Sequence, residues 1–421
     1  MMKDVIVIGG GAGGLAAAIE IHQAGKDVLL IEREEFLGGI LNQCIHNGFG
    51  LEVFKEEYTG PEYANQFIDV FLQEKIDYLL DTTVIGLKKE GHIFTVETSN
   101  ESQGIEFYQT QTVVVSTGSY ERTRGQISIP GDRPYGVITA GSAQRYLNTD
   151  GLLVGKKVFI LGSGDIGLIM ARRMKLEGAE VLGVAEIMPH SNGLNRNIVQ
   201  CLNDFDIPLY LSHTVTEIIA DDHQRLSKIK VSKVDESFRV IKGSEKVFEV
   251  DTLLLSIGLI PDVTILDDLG VEIDKRTKSV KVNQAYETNI EGLFVCGNAL
   301  QVHDLVDNVT LESKRAGQAV VRYLNKDKVK ENHTLSLNPG TNLAYITPQR
   351  LDMGLEQENI SLSFRSRKKM EKAVCKIYQN SQLIFEKKLF FVLPAEMETI
   401  QLPFKTIQDQ GDLKVELEVK S

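Results

Sequence analysis

Short apolar, β-branched runs recur through the first 330 residues: Val5–Ile8, Val28–Ile31, Val113–Val115, Val158–Leu161 and Leu253–Ile257. Longer amphipathic stretches separate them, among them a helix expected from Leu305 to Tyr323. Continuous apolar runs between helices mark parallel strands buried on both faces, so this region reads as α/β. Beyond about residue 335 the period changes. Leu413, Val415, Leu417 and Val419 alternate with Lys414, Glu416, Glu418 and Lys420, and Ile360, Leu362 and Phe364 follow the same rhythm. Alternation at period two predicts strands with one buried face, here a small all-β, sandwich-like domain over 335–421. The polar stretch Asn325–Asn338 between the two regions reads as a linker.

Composition moves with the pattern. Of 36 glycines, only Gly340, Gly354 and Gly411 fall in 335–421. That segment carries a net charge of +1 against −13 for the first 334 residues. The overall charge of −12 leaves no basic footprint for nucleic acid or an anionic membrane. A chain of 421 residues, 42% hydrophobic and 25% charged, is neither disordered nor a disulfide-stapled mini-protein. No apolar run reaches the ~18 residues a transmembrane helix needs. Val5–Ala18 has the apolar character of a signal peptide, but Gly9, Gly10, Gly11, Gly13 and Gly14 fit a strand turning into a helix, and the cytoplasm is the expected location. Cys44, Cys201, Cys296 and Cys375 form no CxxC, which argues against a disulfide framework or a zinc site; no metal is expected.

Two glycine fingerprints stand about 150 residues apart. Asp4-Val-Ile-Val-Ile-Gly9-Gly-Gly11-Ala12-Gly13-Gly14 is a strand running through GxGxxG into a helix. Gly9 suits the tight turn, Gly11 the approach of a pyrophosphate, and Gly14 helix–strand packing. The free N–H groups and positive dipole of the helix start then face the phosphates. A second strand, Asp27–Ile31, ends at Glu32, a carboxylate placed to accept from ribose hydroxyls, with Arg33 beside it. Lys157-Val-Phe-Ile-Leu-Gly162-Ser-Gly164-Asp165-Ile166-Gly167 repeats the design, and its following strand, Glu180–Ala185, ends at Glu186. An acid there suits a free 2′-hydroxyl and repels a 2′-phosphate, which favours NAD(H) over NADP(H).

Further motifs carry a resemblance. Glu32 is followed by Gly38-Gly39; Thr112-Val-Val-Val-Ser-Thr117-Gly118 is a strand and glycine turn; Thr288-Asn-Ile-Glu-Gly-Leu-Phe-Val-Cys-Gly297-Asn298 and Gly258-Leu-Ile-Pro261-Asp262 come later. Together they resemble the flavoproteins with two dinucleotide-binding domains, the pyridine nucleotide-disulfide oxidoreductase superfamily. The resemblance implies an FAD-binding Rossmann-like domain (1–118 and 262–330) with an inserted NAD-binding Rossmann-like domain (119–261). It implies FAD contacts at Gly38, Gly39, Thr117, Gly118, Gly297 and Asn298, the last replacing the usual Asp. Gly258 marks the return to the FAD domain. Where some relatives carry an acid two residues past the third glycine, this chain has Ile169.

The redox pairs of the disulfide reductases, CxxxxC after Gly-Gly or CxxC in the NAD domain, are absent. A single cysteine, Cys44, occupies the segment that bears them. Either it forms a sulfenic acid or charge-transfer thiolate, or it packs near the flavin. His46 either supports that thiolate and relays protons or is structural. The resemblance places His303 and Asp304 before a helix aimed at the flavin, where they line it or where Asp304 caps the helix. Cys201, Cys296 and Cys375 read as packing residues. GGILNQCIHNGFGL and CGNALQVHDLVDNV look similar to a branch resembling FAD subunits of dye-linked dehydrogenases and oxidoreductases associated with glycerol-3-phosphate dehydrogenase. That branch implies electron transfer with a partner flavoprotein or electron-transfer subunit, or a small acceptor. The alternatives are a Cys44-centred reductase of peroxide, persulfide or low-molecular-weight disulfide, and a nucleotide-sensing binding module. A homo-oligomer is a further expectation, and the C-terminal domain is either a docking surface or a stabilising appendage.

Overall fold

The computed structural model describes residues 2–325, 333–355 and 357–419. They fall into two units, Met1–Ser119 with Ile260–Ser421, and Tyr120–Leu259.

The first unit grows from β1 (Lys3–Ile8), which leads through the glycine turn into α1 (Ala12–Gln23) and β2 (Val28–Ile31). After α2 (Gly60–Gln73) come β3 (Asp77–Leu79) and a meander of β4 (Thr82–Glu90), β5 (Ile93–Asn100) and β6 (Gly104–Val115). The sheet runs β3-β2-β1-β6-β5-β4. β1 pairs in parallel with β2 (Val5 opposite Val28) and with β6 (Ile8 opposite Val115). Val5, Val7, Leu30 and Val114 face one apolar core with the helices, while Ile6, Ile8, Ile31 and Val115 face another. Burial on both faces is why these strands read as unbroken apolar runs.

The second unit repeats this plan. β7 (Val137–Thr139) and α3 (Ala140–Asn148) precede β8 (Lys157–Leu161), α4 (Asp165–Leu176), β9 (Glu180–Glu186) and β10 (Leu209–Leu211). An antiparallel meander of β11 (His213–Ala220), β12 (Leu226–Lys233) and β13 (Lys246–Glu249) follows, then β14 (Thr252–Leu255). The parallel sheet is ordered β7-β14-β8-β9-β10. β8 is central, as β1 is in the first unit.

Back in the first unit, β15 (Leu293–Val295) pairs in parallel with β6, and α5 (Val306–Leu324) follows. Gly317 of α5 lies so close to α1 that a Cβ would stand 3.0 Å from the Ala17 carbonyl oxygen. The C-terminal strands are β16 (Thr334–Pro339), β17 (Leu343–Thr347), β18 (Arg350–Asp352), β19 (Asn359–Ser366), β20 (Met370–Gln379), β21 (Gln382–Val392), β22 (Met397–Pro403) and β23 (Leu413–Val419). They form two sheets, β18-β16-β23-β20-β21 and β17-β19-β22, around one core that includes Leu337, Phe364, Cys375, Ile400 and Val415.

These strands share a unit with the first sheet rather than standing apart. Buried Gln284 donates from Nε2 to the Asp352 carbonyl (2.6 Å) and accepts the Asp352 N–H at Oε1 (2.8 Å). Gln349 Oε1 accepts the Val282 N–H at 3.0 Å. The polar stretch Asn325–Asn338 is therefore not a linker throughout: β16 already begins at Thr334, and 326–332 lie outside the described residues. Among the described residues no helix is long and apolar enough to cross a membrane.

Candidate active site

The first cradle is shaped by what its glycines cannot carry. A Cβ on Gly9 (φ +104°) would stand 2.4 Å from the Ser116 carbonyl oxygen, and one on Gly14 only 1.8 Å from the Gly9 oxygen. Gly13 is nearly as confined, 2.6 Å from Ser116 Oγ. Gly11 is different: its Cβ would meet only the Gly39 Cα, at 4.0 Å. Space therefore remains where the first N–H groups of α1, beginning at Ala12, point outward, which fits a pyrophosphate. The Gly38-Gly39 pair closes over Gly11, its Gly38 N–H donating to the Gly10 carbonyl at 2.9 Å. Buried Glu32 accepts the Gly10 N–H at Oε2 (2.5 Å) and the Glu34 N–H at Oε1 (2.9 Å). Arg33 is exposed, with Nε 3.7 Å from Glu34 Oε1. At the end of β6 the Thr117 hydroxyl donates to the Asp262 carbonyl, whose N–H bonds the Gly118 oxygen at 2.9 Å. A Cβ on Gly118 would touch nothing within 4 Å.

The second cradle repeats the first almost residue for residue. A Cβ on Gly162 would stand 2.0 Å from the Ser256 oxygen, and one on Gly167 2.6 Å from the Ser256 Cβ. Gly164 meets only Ser256, no closer than 3.2 Å, and Gly258 is open. Buried Glu186 accepts the Ser163 N–H (3.0 Å) and hydroxyl (2.7 Å) at Oε2, and the Met188 N–H (3.0 Å) at Oε1. The Ser163 hydroxyl accepts the Asn192 N–H at 2.9 Å. Asp165 Oδ1 accepts from the Leu194 N–H (2.8 Å) and Asn197 Nδ2 (2.6 Å), tying the start of the short helix Asn195–Cys201 to the start of α4, one residue before half-buried Ile166. Thr123, Arg124, Arg133, Pro134, Val137 and Thr139 line a pocket of ≈ 270 Å³ in the same unit. It opens by the carboxyl ends of β7 and β14, the edge where open α/β sheets bind ligands.

Residues 44–60 and the start of α5 come together in the first unit. The Cys44 carbonyl accepts the Gly60 N–H at 2.8 Å, and its thiol donates to the Ile40 oxygen at 3.3 Å. Burial pushes the Cys44 thiol up to about 12, so it is protonated at neutral pH. The His46 ring lies 5.0 Å from that of Phe49. Buried Asp307, in the first turn of α5, accepts the N–H groups of Gly50 (3.1 Å), Glu52 (3.2 Å) and Val53 (2.9 Å). Cys201, Cys296 and Cys375 are buried.

His303 lies against α5. Its Nε2 is 3.2 Å from Glu312 Oε1, with both side chains 3% exposed or less. Glu312 also accepts the Gly297 N–H (2.9 Å) and Gln301 Nε2 (2.6 Å). Burial alone would raise its carboxyl; His303, with Gln301 and Arg315, brings it below the ordinary range. Asn298 Oδ1 accepts the His303 N–H at 3.0 Å. His303 Nδ1 and Gln301 Oε1 are buried without a hydrogen-bond partner among the described residues. Asp304 does not cap the helix, because α5 starts at Val306 and Leu305 holds the capping position. Its carboxylate is instead drawn to the C-terminal sheets, pairing with Arg365 and accepting the Met397 N–H at 2.7 Å. Ser163, Asp307, Glu312 and Arg365 escape a reading of sequence. The one signal was polar Asp307, Thr310 and Ser313 at three-residue spacing on the buried face of α5.

The family model for pyridine nucleotide-disulphide oxidoreductases matches residues 3–319. The chain belongs to that family. It is thus a flavin-dependent pyridine nucleotide oxidoreductase, with FAD and a pyridine nucleotide as its cofactors. Relatives include the ferredoxin–NADP reductase of Leuconostoc citreum, 24% identical over 340 residues, which span 79% of this chain and 95% of that protein. The glutamate synthase [NADPH] small chain of Mycobacterium tuberculosis is 27% identical over 357 residues, 76% of this chain and 67% of that protein. The sarcosine oxidase subunit alpha of a Corynebacterium species is 28% identical over 276 residues, 62% of this chain but only 26% of that larger protein. Among solved structures, T. acidophilum thioredoxin reductase superposes with a TM-score of 0.64 at 24% identity, covering 78% of this chain and 99% of its own. The bacillithiol disulfide reductase of Bacillus cereus gives 0.61 at 20%, covering 78% and 100%. These likenesses establish a thioredoxin reductase-like α/β fold. The family match ends at 319, before the C-terminal strands.

Proposed function

We propose that the cradle of β1 and α1, with residues 260–324, holds FAD, that the cradle of β8 and α4 holds NAD(H), and that the enzyme moves hydride between them. Electrons then pass to or from a partner flavoprotein, an electron-transfer subunit or a small acceptor. The observation that carries this reading is the pair of buried carboxylates, Glu32 and Glu186, each locked to the second residue of its own glycine turn. Each has a lone pair free to accept from a ribose hydroxyl, while the helix start beside it takes the pyrophosphate. FAD supplies the hydride chemistry; the protein positions it and excludes competing reactions. Glu186 repels a 2′-phosphate, which favours NAD(H). Asn298 and His303 flank the flavin end, with Glu312 holding the imidazole from behind. Cys44 and His46 line the segment over α5 and act by packing. A thiol pushed to about 12 is poorly suited to attack a peroxide or disulfide, which favours electron transfer over Cys44 chemistry. The partner is motivated by the subunit status of relatives such as sarcosine oxidase subunit alpha.

Anaerobic stopped-flow mixing tests the reading. NADH should bleach the oxidised flavin band near ~450 nm, and NADPH should do so at least about tenfold less efficiently. Absence of bleaching by either nucleotide would overturn it. Cys44→Ser should leave turnover with artificial electron acceptors unchanged.

A further inference from the structure

The C-terminal sheets end in an edge that is unusual in three ways. β21 runs for 11 residues and, among the described residues, pairs only with β20. Its Phe390 is 91% exposed, the most exposed large apolar side chain among the described residues. Long, bare apolar edges invite pairing with another strand unless they are blocked. Lys387 and Lys388 at its centre are residues that usually do the blocking. Here, however, their neighbours are ordered so that the strand complements itself.

We propose that β21 pairs with β21 of a second copy of this chain, antiparallel and about a two-fold axis through Lys387. A continuous antiparallel sheet formed by two-fold symmetry puts the axis perpendicular to the sheet, so a residue of one copy faces a residue of like parity in the other. Centring on Lys387 sets Glu386 opposite the second copy's Lys388, and Phe385 opposite its Leu389. By symmetry each contact occurs twice. Shifting the centre by one residue loses this match: on Glu386 it sets Glu against Glu and Phe385 against Lys387, and on Lys388 it sets Lys against Lys and Lys387 against Leu389. The single like-charge contact, Lys387 with itself, is offset by two Glu–Lys pairs, and each Lys387 also lies near Glu398 of its own chain, partly countering the rise that burial and Glu396 impose on that carboxyl. The regular ladder from Phe385 to Leu389 supplies the paired segment. Beyond it, the exposed Phe390 is carried over Ile384 of the second copy, which removes it from water. The partner is fixed by charge and apolar order in the strand itself, independently of the flavin reading, and the failure of either leaves the other standing.

Charge exchange on the full-length holoenzyme tests the register. Sedimentation velocity of the wild type over a range of micromolar concentrations should show a reversible dimer. Glu386→Lys places lysine against lysine twice and should weaken it about tenfold, whereas Glu386→Lys with Lys388→Glu restores both pairs and should recover wild-type dimerisation. Lys387→Cys, in a Cys375→Ala background that removes the thiol opposite it on β20, should oxidise to a disulfide-linked dimer. A wild type that stays monomeric, or a dimer indifferent to the charge exchange and not crosslinked through position 387, would overturn the proposal. Far-ultraviolet circular dichroism of each variant distinguishes a lost interface from a lost fold.

Discussion

Residue 10 is glycine, and the matching residue of the second cradle, 163, is serine. Around them the two cradles are nearly the same object: a central parallel strand, a glycine turn braced on a serine carbonyl (Ser116 or Ser256), and a buried glutamate bonded to the second residue of the turn. The difference lies in room. A Cβ on Gly10 would stand 2.8 Å from Leu37 Cδ2 and 3.0 Å from Glu32 Oε2, because the Gly38-Gly39 segment folds back over the turn. In the second cradle the segment that comes over the turn, residues 191–197, is tied to it through side chains: the Ser163 hydroxyl bonds Glu186 and accepts the Asn192 N–H, and Ser191 Oγ donates to the Ser163 carbonyl. One cradle is roofed by Leu37 and the Gly38-Gly39 segment packed close on the turn, and the other is laced by side-chain hydrogen bonds. A roofed site suits a group that stays, and a laced one a group that comes and goes.

The helix–strand contact should separate the cradles most. Gly14→Ala forces a Cβ into a backbone oxygen that cannot move aside, and is expected to cost about 3 kcal/mol or more and to abolish flavin retention. Gly167→Ala meets the Ser256 Cβ at 2.6 Å but the nearest backbone oxygen, that of Gly162, only at 3.1 Å, and should cost less, about 2 kcal/mol; thermal unfolding and visible flavin absorbance of the two variants give the comparison. Next in size is Gly10→Ser, which writes the second cradle's residue into the first. Purified protein should then carry less than about a tenth of the wild-type flavin, because the added side chain pushes on buried Leu37 and displaces Glu32, the carboxylate bonded to the turn. Equal flavin content would mean that the roof is soft and that the two cradles do not differ in room. Glu186→Gln keeps the shape and removes the charge, so the preference for NADH over NADPH, read as a ratio of kcat/KM, should fall about tenfold. The mildest change is Ser163→Gly, the reverse exchange. It deletes the hydroxyl bonds to Glu186 and Asn192 for about 1 kcal/mol of stability, and NADH affinity should move by less than about threefold.

What could be read from the chain and what could not divide along sequence separation. Both glycine turns, the strands before them and the acids that follow are local patterns, each contained within about 30 residues. The doubly buried strands declare themselves by unbroken apolar runs such as Val5–Ile8. The alternation at Leu413–Val419 likewise marks a strand, although Val419 at its end is 57% exposed. Contacts made across hundreds of residues left no such trace. Asp307 looks like an ordinary first-turn acid, yet it holds the backbone of Gly50, Glu52 and Val53. Asp304 looks like a helix cap until Arg365 claims it from 61 residues away. The protonated state of Cys44 depends on burial, which the Cys44–His46 spacing cannot reveal.

The Arg365–Asp304 pair has a mechanical consequence. Its two side chains are 17% and 16% exposed, and lifting the C-terminal sheets away would break the pair together with the Met397–Asp304 hydrogen bond. A charge-assisted contact of this kind contributes about 1.5–3 kcal/mol, before the Gln284–Asp352 clasp is counted. The sheets and the segment before α5 should therefore open together or not at all. A chain severed between Asn325 and His333 would still travel as one particle, and only denaturant, not the cut, would part its fragments.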